Sequence, residues 1–162
     1  MRERLLAEVA EAIVASWGPE TMYATKEVPP RKPGCRSRGQ CGTTAAVLQD
    51  WVGGDIMAAD VYRDGERVGV HYWNRLSGGD EVDLTADQFL PSESLSGSRV
   101  ARRPEAEAWR EHSGYGAYLA LRQRVAERLS DEAETREAAL SKPAAPHERP
   151  APAHNVGLHQ RR

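Results

Sequence analysis

Three residues of the sequence have side chains that together can carry out nucleophilic chemistry, in the order cysteine, histidine, aspartate. Cys41 opens a run of small and apolar residues, His71 lies in the stretch Val-His-Tyr-Trp-Asn, and Asp83 lies in Val-Asp-Leu-Thr. A thiol is a strong nucleophile as a thiolate, an imidazole can take its proton, and a carboxylate behind the imidazole fixes its tautomer. We therefore predict a catalytic triad of Cys41, His71 and Asp83.

The neighbours of the cysteine and the histidine indicate how such a site would treat a substrate. Gly39 would permit a tight entry into the helix and a close approach of substrate. Gln40 carries an amide that could face a developing oxyanion, with the backbone N–H of the cysteine as the second donor. Arg38 is either a plain loop charge or a binding group for an acidic substrate. Trp73, which we count with Gly39 and Arg38 among the candidate substrate-binding residues, would shield the imidazole from water or pack in the core.

Other polar residues near these motifs are predicted to have structural roles. Asn74 lies three residues beyond His71, hence on the opposite face of a strand, and is expected to tie down the hairpin. Gln88 and Phe89 are expected to pack rather than to take part in chemistry.

Hydrophobic periodicity predicts the elements that would position the triad. In chain order these are a helix over 3–16, an irregular segment over 18–40, a buried helix from Cys41 to just before Gly53, strands over 56–63, 66–76 and 81–85, and helices over 104–112 and 117–140. Thr85 to Gln88 has the pattern of a capped short helix. We predict an α+β fold, with one domain over 1–140 and a disordered Pro- and Ala-rich tail over 141–162.

The hairpin between the second and third strands must bring His71 and Asp83 to the same face of the sheet. If they lie directly opposite each other, the hairpin is centred on Ser77 and its loop has an odd number of residues. A two-residue Gly78-Gly79 loop would turn Asp83 to the other face. The triad therefore predicts a loop of three or five residues, with a glycine in the left-handed region.

Composition and charge exclude several classes of function. The chain has 162 residues and a net charge of -2, which gives no attraction for nucleic acid or for an anionic membrane. It has no apolar stretch of the roughly 18 residues needed to span a bilayer, so we expect a cytoplasmic protein. We predict no cofactor, and we expect Cys35 and Cys41 to be free thiols in a reducing compartment.

Three short motifs resemble known families. Gly-Gln-Cys at 39–41, His-x-Trp at 71–73 and Asp-Leu-Thr at 83–85 resemble the transglutaminase-like (papain-like) core. More closely, the sequence from residue 5 to 92 resembles the small bacterial YunG-like proteins. The resemblance implies a minimal transglutaminase-like fold in which a central helix carries the cysteine and packs on a small antiparallel sheet. Gly42 departs from the transglutaminases, which have an aromatic residue there.

The resemblance also implies roles, with Cys41 as nucleophile, His71 as base and acid, Asp83 as orienting carboxylate and Gln40 as oxyanion donor. We therefore expect acyl transfer through a Cys41 thioester, on a small molecule or peptide, with water or an amine as acceptor. One alternative is a non-catalytic module whose C-terminal helix binds a partner. Others are a redox pair of Cys35 with Cys41 and, less favoured by the loose ligand spacing, a zinc site.

Overall fold

The structure, a computed structural model, describes residues 2–23 and 34–141. Within these ranges its helices are α1 (Arg2–Ser16), α2 (Cys41–Val52), α3 (Ala106–Glu111) and α4 (Tyr115–Ser141), and its strands are β1 (Asp55–Arg63), β2 (Glu66–Arg75), β3 (Glu81–Val82) and β4 (Glu93–Ala101). Single 3₁₀ turns cover Pro19–Thr21 and Ala86–Gln88. The predicted α+β class is confirmed. The predicted tail from 142 onward, and 24–33 of the predicted irregular segment, lie outside the described residues.

Helix α2 is the centre of the molecule. Its residues from Thr43 to Leu48 are all buried, and they are small or aliphatic, so neighbouring helices can approach closely. Val9 and Ile13 of α1 pack in the same apolar cluster, together with Leu121 and Val125 of α4. This packing fixes the direction of α2 and therefore the place where its first residue, Cys41, meets the sheet.

Arginines from other parts of the chain cap the C-terminal end of α1, which has no basic residue in its own last turn. Arg128 donates to the carbonyl of Ala15 and to the hydroxyl of Ser16, at 3.2 and 3.1 Å. Arg36 reaches the carbonyls of Val14 and Trp17. These contacts satisfy carbonyl groups that the helix itself leaves unpaired.

The four strands form one antiparallel sheet in the order β3-β2-β1-β4. Strand β4 was not predicted. Its sequence, Glu-Ser-Leu-Ser-Gly-Ser-Arg-Val-Ala, is polar and largely exposed, so it lacks the alternation that marks a half-buried strand. Gly97, with φ of 74°, and a register shift opposite Ala58–Asp60 interrupt it further.

The β2–β3 hairpin confirms the predicted loop but not the predicted centre. Five residues, 76–80, separate the paired Arg75 and Glu81, and Gly79 has φ of 93°. The pairing is centred on Gly78 rather than on Ser77, because Asn74 pairs with Val82. Asp83 therefore follows the last paired residue of β3 and approaches His71 diagonally rather than from directly opposite.

Helix α4 packs most of its apolar stripe into the molecule. Leu121 and Val125 are fully buried, and Leu129 packs against the same cluster, whereas Leu119 is exposed. A partner-binding role for this stripe would require side chains that already form the core. Among the described helices, none combines the length and the apolar character needed to cross a membrane.

Candidate active site

Cys41 is the first residue of α2 and lies at the edge of a cavity of about 480 Å³. Its side chain is partly exposed, and Gly42 beside it also lines the cavity. The first backbone N–H groups of a helix have no partner within the helix. The start of α2 therefore offers unpaired backbone N–H donors next to the thiol, where the carbonyl group of a substrate would approach.

His71 and Asp83 are joined by a short hydrogen bond. His71 Nε2 lies 2.7 Å from Asp83 Oδ2, and the imidazole is almost completely buried, with 1% of its surface exposed. The second carboxylate oxygen of Asp83 accepts from the backbone N–H and the hydroxyl of Thr85, at 3.0 and 3.1 Å. Thr85 thus fixes the carboxylate in the orientation in which its other oxygen faces the imidazole.

Gln88 contacts the other nitrogen of the same ring, which the sequence did not predict. Its amide nitrogen lies 2.9 Å from His71 Nδ1 and donates to the carbonyl of Thr85 at 3.1 Å. Since an amide nitrogen only donates, Nδ1 must accept, and the ring hydrogen of neutral His71 is on Nε2, facing Asp83. Gln88 therefore makes a polar contact with His71 in addition to the packing expected of it.

Phe89 packs as expected, since its ring meets the imidazole of His71 edge-on at 4.7 Å, and it also lines the cavity. The sequence signal that could have found Gln88 was the short capped helix after Asp83. Thr85 and Gln88 lie three residues apart at its two ends, so both face the triad.

Cys41 lies close enough to His71 to change the charge balance of the imidazole. Burial opposes its protonation, but the hydrogen bond to Asp83 and the hydrogen bond and electrostatic attraction of Cys41 raise the pKa of His71 to about 9. The Gln88 amide acts in the opposite direction, because a protonated Nδ1 cannot accept its hydrogen bond. His71 therefore takes up a proton readily, and the Gln88 amide favours its release.

Two further groups near His71 have shifted pKa values. Burial would raise the pKa of Asp83, but the hydrogen bond and charge of His71, with the Thr85 donors, lower it. Burial and the proximity of Cys41 raise the pKa of Tyr72, although nearby arginines oppose this. Asp83 therefore stays ionised behind the imidazole, and Tyr72 presents a neutral phenol to the cavity.

Gln40 is held by a segment upstream of the site. Its amide nitrogen donates to the carbonyl of Gly18 at 3.0 Å, and its amide oxygen accepts from the hydroxyl of Thr21 at 2.9 Å. It is 3% exposed and is not among the described residues that line the cavity. Of the two oxyanion donors predicted from the sequence, this geometry favours the backbone N–H of Cys41, and it gives Gln40 a role in fixing the start of α2.

Arg38 lines the cavity, but its guanidinium is already occupied. Both terminal nitrogens contact the Glu93 carboxylate, at 3.0 and 2.9 Å, and one also donates to the carbonyl of Gln88. The Arg38 hydrogen bond, with the Arg63 contact, outweighs burial and lowers the pKa of Glu93 to about 2. This buried pair favours a structural role for Arg38 over the predicted substrate binding, because it joins the segment before Cys41 to β4.

Gly39 and Trp73, the other predicted substrate-binding residues, also have structural neighbours. Gly39 has φ of 80°, and a Cβ atom there would lie 2.7 Å from Met22. The group that approaches this glycine closely is therefore the Met22 side chain of the protein itself. Trp73 stacks on His71, with 5.7 Å between the ring centres, and its indole nitrogen donates to Glu81. Among the described residues, Trp73 does not line the cavity, whereas Gly39 does.

The remaining predicted residues take the following places. Asn74 is fully buried and donates to the carbonyl of Ala45, so it ties the hairpin to α2. Cys35 and Cys41 are both free thiols, and the sulfur of Cys35 lies 3.0 Å from the hydroxyl of Ser37. Within 2–23 and 34–141, no cluster of His, Cys, Asp or Glu has the arrangement of a metal site.

Comparison with known proteins identifies a family for this chain. Neither the curated proteins nor the solved structures yield a significant similarity to this chain. The family model described as "YunG protein" matches residues 5–130, which include the cysteine, the histidine, the aspartate and Gln88. The chain therefore belongs to the YunG family.

Proposed function

We propose that this protein is a cysteine-dependent acyl-transfer enzyme with a transglutaminase-like catalytic triad. The observation that carries the proposal is the arrangement around His71, where Asp83 holds Nε2 and Cys41, which lines a cavity, lies close enough to raise the pKa of the imidazole. A histidine used only for packing would not require an ionised carboxylate, a thiol and an amide on one buried ring.

The first chemical step forms a thioester. The Cys41 thiol transfers its proton to His71 Nδ1, and the sulfur attacks the carbonyl carbon of an amide, ester or thioester substrate. Backbone N–H groups at the start of α2 stabilise the resulting oxyanion. The bond between the carbonyl carbon and the leaving group then breaks as His71 returns the proton to that group.

The second step releases the acyl group. A water molecule or an amine attacks the thioester carbon while His71 takes a proton from it, and the sulfur leaves and recovers a proton from the imidazole. Water gives hydrolysis, and an amine gives a new amide bond. Asp83 stays ionised throughout and stabilises the imidazolium form of His71.

Gln88 is a positioning residue in this scheme. While His71 is neutral, the Gln88 amide occupies Nδ1, the nitrogen that must take the proton of the thiol. The amide must turn or move as Nδ1 becomes protonated, because two donors cannot share the contact. Gln88 thus holds the neutral ring in its orientation and opposes the protonation of Nδ1.

The proposal is tested by trapping the acyl-enzyme. Wild-type protein is mixed with p-nitrophenyl acetate and quenched in acid, and the acetylated peptide is identified by mass spectrometry. We expect acetylation at Cys41, at a rate that falls by roughly 10²-fold or more in His71→Ala, since general-base catalysis typically contributes this much.

Two controls make the result specific. Cys35→Ala should be acetylated at Cys41 as fast as wild type, and Cys41→Ala should show no acetylated cysteine. Acetylation restricted to Cys35 or to lysines, or a rate that does not depend on His71, would rule out the proposed enzyme.

A further inference from the structure

The cavity next to Cys41 is shaped for a compact apolar group. Its volume of about 480 Å³ is within the range of small-molecule sites. Four aromatic side chains line it, those of Tyr23, Tyr72, Phe89 and Trp109. Such rings provide a large apolar contact area, so the group attached to the reacting carbonyl is expected to be aromatic or aliphatic.

The charges around this cavity have the opposite sign to the charge of the whole protein. The chain carries a net charge of -2. Among the described residues, the cavity is lined by a single carboxylate, that of Glu93, and by four arginines, which are Arg38, Arg67, Arg102 and Arg103. A cavity with apolar walls focuses such an excess of positive charge on its contents.

Three carboxylates that contact the cavity arginines offset this excess only in part, because each of the three is shared by two arginines. Asp60 contacts Arg67 and Arg99, at 3.0 and 3.1 Å. Glu93 contacts Arg38 and Arg63. Asp50 contacts Arg103 at 2.6 Å and Arg122 at 3.5 Å. Each of these carboxylates can therefore neutralise at most one of its two arginines.

Arg102 differs from the other cavity arginines within the part of the chain that the structure describes. It directly follows the last residue of β4, it is exposed, and it has no ion-pair or hydrogen-bond partner among the described residues. A guanidinium is suited to pair with a carboxylate through two parallel hydrogen bonds. It lines the same cavity as Cys41, so one ligand can reach both.

We propose that the acyl donor of this enzyme carries a carboxylate or a similar anionic group on a compact apolar body, and that Arg102 binds this group. The inference rests on the proposed acyl-transfer function and specifies its substrate class. The aromatic rings hold the body, Arg102 holds the anion, and the carbonyl group is thereby presented to Cys41.

The test measures binding rather than turnover. Isothermal titration calorimetry compares 3-phenylpropionate with its neutral analogue 3-phenylpropionamide, using Cys41→Ala protein and the same protein with Arg102→Gln. We expect the carboxylate to bind about tenfold more tightly than the amide, which is the effect of one charge-assisted contact. Arg102→Gln should abolish this preference and leave binding of the amide unchanged.

A matched control separates local recognition from long-range charge. Arg110→Gln removes the same charge from an exposed arginine that does not line the cavity, and it should leave the preference intact. Equal binding of the two ligands, no binding of either, or a preference that survives Arg102→Gln would overturn the inference. These outcomes are independent of the acyl-enzyme experiment, which uses a neutral ester and tests the enzyme function itself.

Discussion

At the scale of single residues, the site is defined by how His71 is held. Asp83 occupies one ring nitrogen at 2.7 Å and Gln88 the other at 2.9 Å, so the tautomer of the neutral ring is fixed from both sides. The remaining oxygen of Asp83 is fixed by Thr85. A change of a single proton donor or acceptor in this chain of contacts should therefore alter the chemistry without altering the fold.

Asp83→Asn should invert the tautomer of His71. Thr85 donates to one oxygen of residue 83 through both its N–H and its hydroxyl, so the new amide must keep its oxygen there and turn its nitrogen to His71. The ring then needs a hydrogen on Nδ1, where Gln88 also donates. We expect alkylation of Cys41 by iodoacetamide at neutral pH to slow by roughly 10²-fold or more.

The control for this substitution is Asp80→Asn in the exposed hairpin loop, which should react like wild type. An Asp83→Asn protein that folds normally and keeps wild-type alkylation kinetics would contradict the role given to Asp83.

Gln88→Ala should make His71 easier to protonate. The amide donates to Nδ1 and so disfavours the imidazolium, and its removal should raise the pKa of His71. The measurement is a ¹⁵N NMR titration of His71 in a Cys41→Ala background, where the thiol does not titrate. An unchanged or lower pKa in Cys41→Ala/Gln88→Ala would mean that Gln88 only fills space.

The sequence predicted the types and order of the three triad residues but not all the contacts among them. Chain pattern identifies Cys41, His71 and Asp83 because each type has a known chemical use at such positions. It does not show which ring nitrogen faces which neighbour. For that reason it assigned the functional amide to Gln40, adjacent in sequence, whereas Gln88 reaches the imidazole through the fold.

At the scale of elements, the entry into α2 is fixed from two directions. Gln40 binds the 3₁₀ turn upstream, and Arg38 binds Glu93 at the start of β4. The segment before Cys41 is thereby tied to β4, which is the edge strand opposite β3. The strand that receives Arg38 is thus a supporting element of the site.

Glu93→Gln should destabilise the protein by about 3 kcal/mol, the typical effect of removing one partner of a buried ion pair. Arg38 would keep a buried charge without its carboxylate, since its side chain is only 5% exposed. The measurement is the urea midpoint of unfolding. Arg99→Gln, in the more exposed pair with Asp60, is the control and should change the midpoint much less.

An equal effect of the two substitutions would contradict the supporting role of β4.

The sequence predicted α1, α2, the β1–β2–β3 hairpins, α3 and α4, because each has a buried face or a turn signal. It did not predict β4, since a polar edge strand owes its place to pairing with β1 and to the charge of Glu93. Local pattern does not contain such long-range terms.

At the scale of the whole molecule, charge is distributed unevenly. An excess of arginine surrounds the cavity although the chain as a whole is slightly acidic. The triad adds a buried, protonatable imidazole to this distribution. Because protonation of His71 is coupled to folding, the free energy of unfolding should depend on pH.

The free energy of unfolding should fall as pH rises from about 6.5 to about 9. His71 has an ordinary pKa of 6.5 and a folded-state pKa of about 9, so the folded protein holds the proton more tightly than the unfolded chain. The resulting stabilisation is complete below 6.5 and is lost as pH passes through 9. Urea unfolding of wild type and His71→Gln measures it, and equal pH dependence in the two proteins would contradict the proton uptake.

The central claim is that Cys41 is a nucleophile activated by His71, and the rate of cysteine alkylation tests it most directly. Iodoacetamide labelling of Cys41 and Cys35 is followed peptide by peptide across a range of pH, in wild type and His71→Ala. We predict that Cys41 reacts much faster than Cys35 at neutral and mildly acidic pH and that His71→Ala abolishes the difference. Slow labelling of Cys41, or fast labelling that persists without His71, would contradict the account.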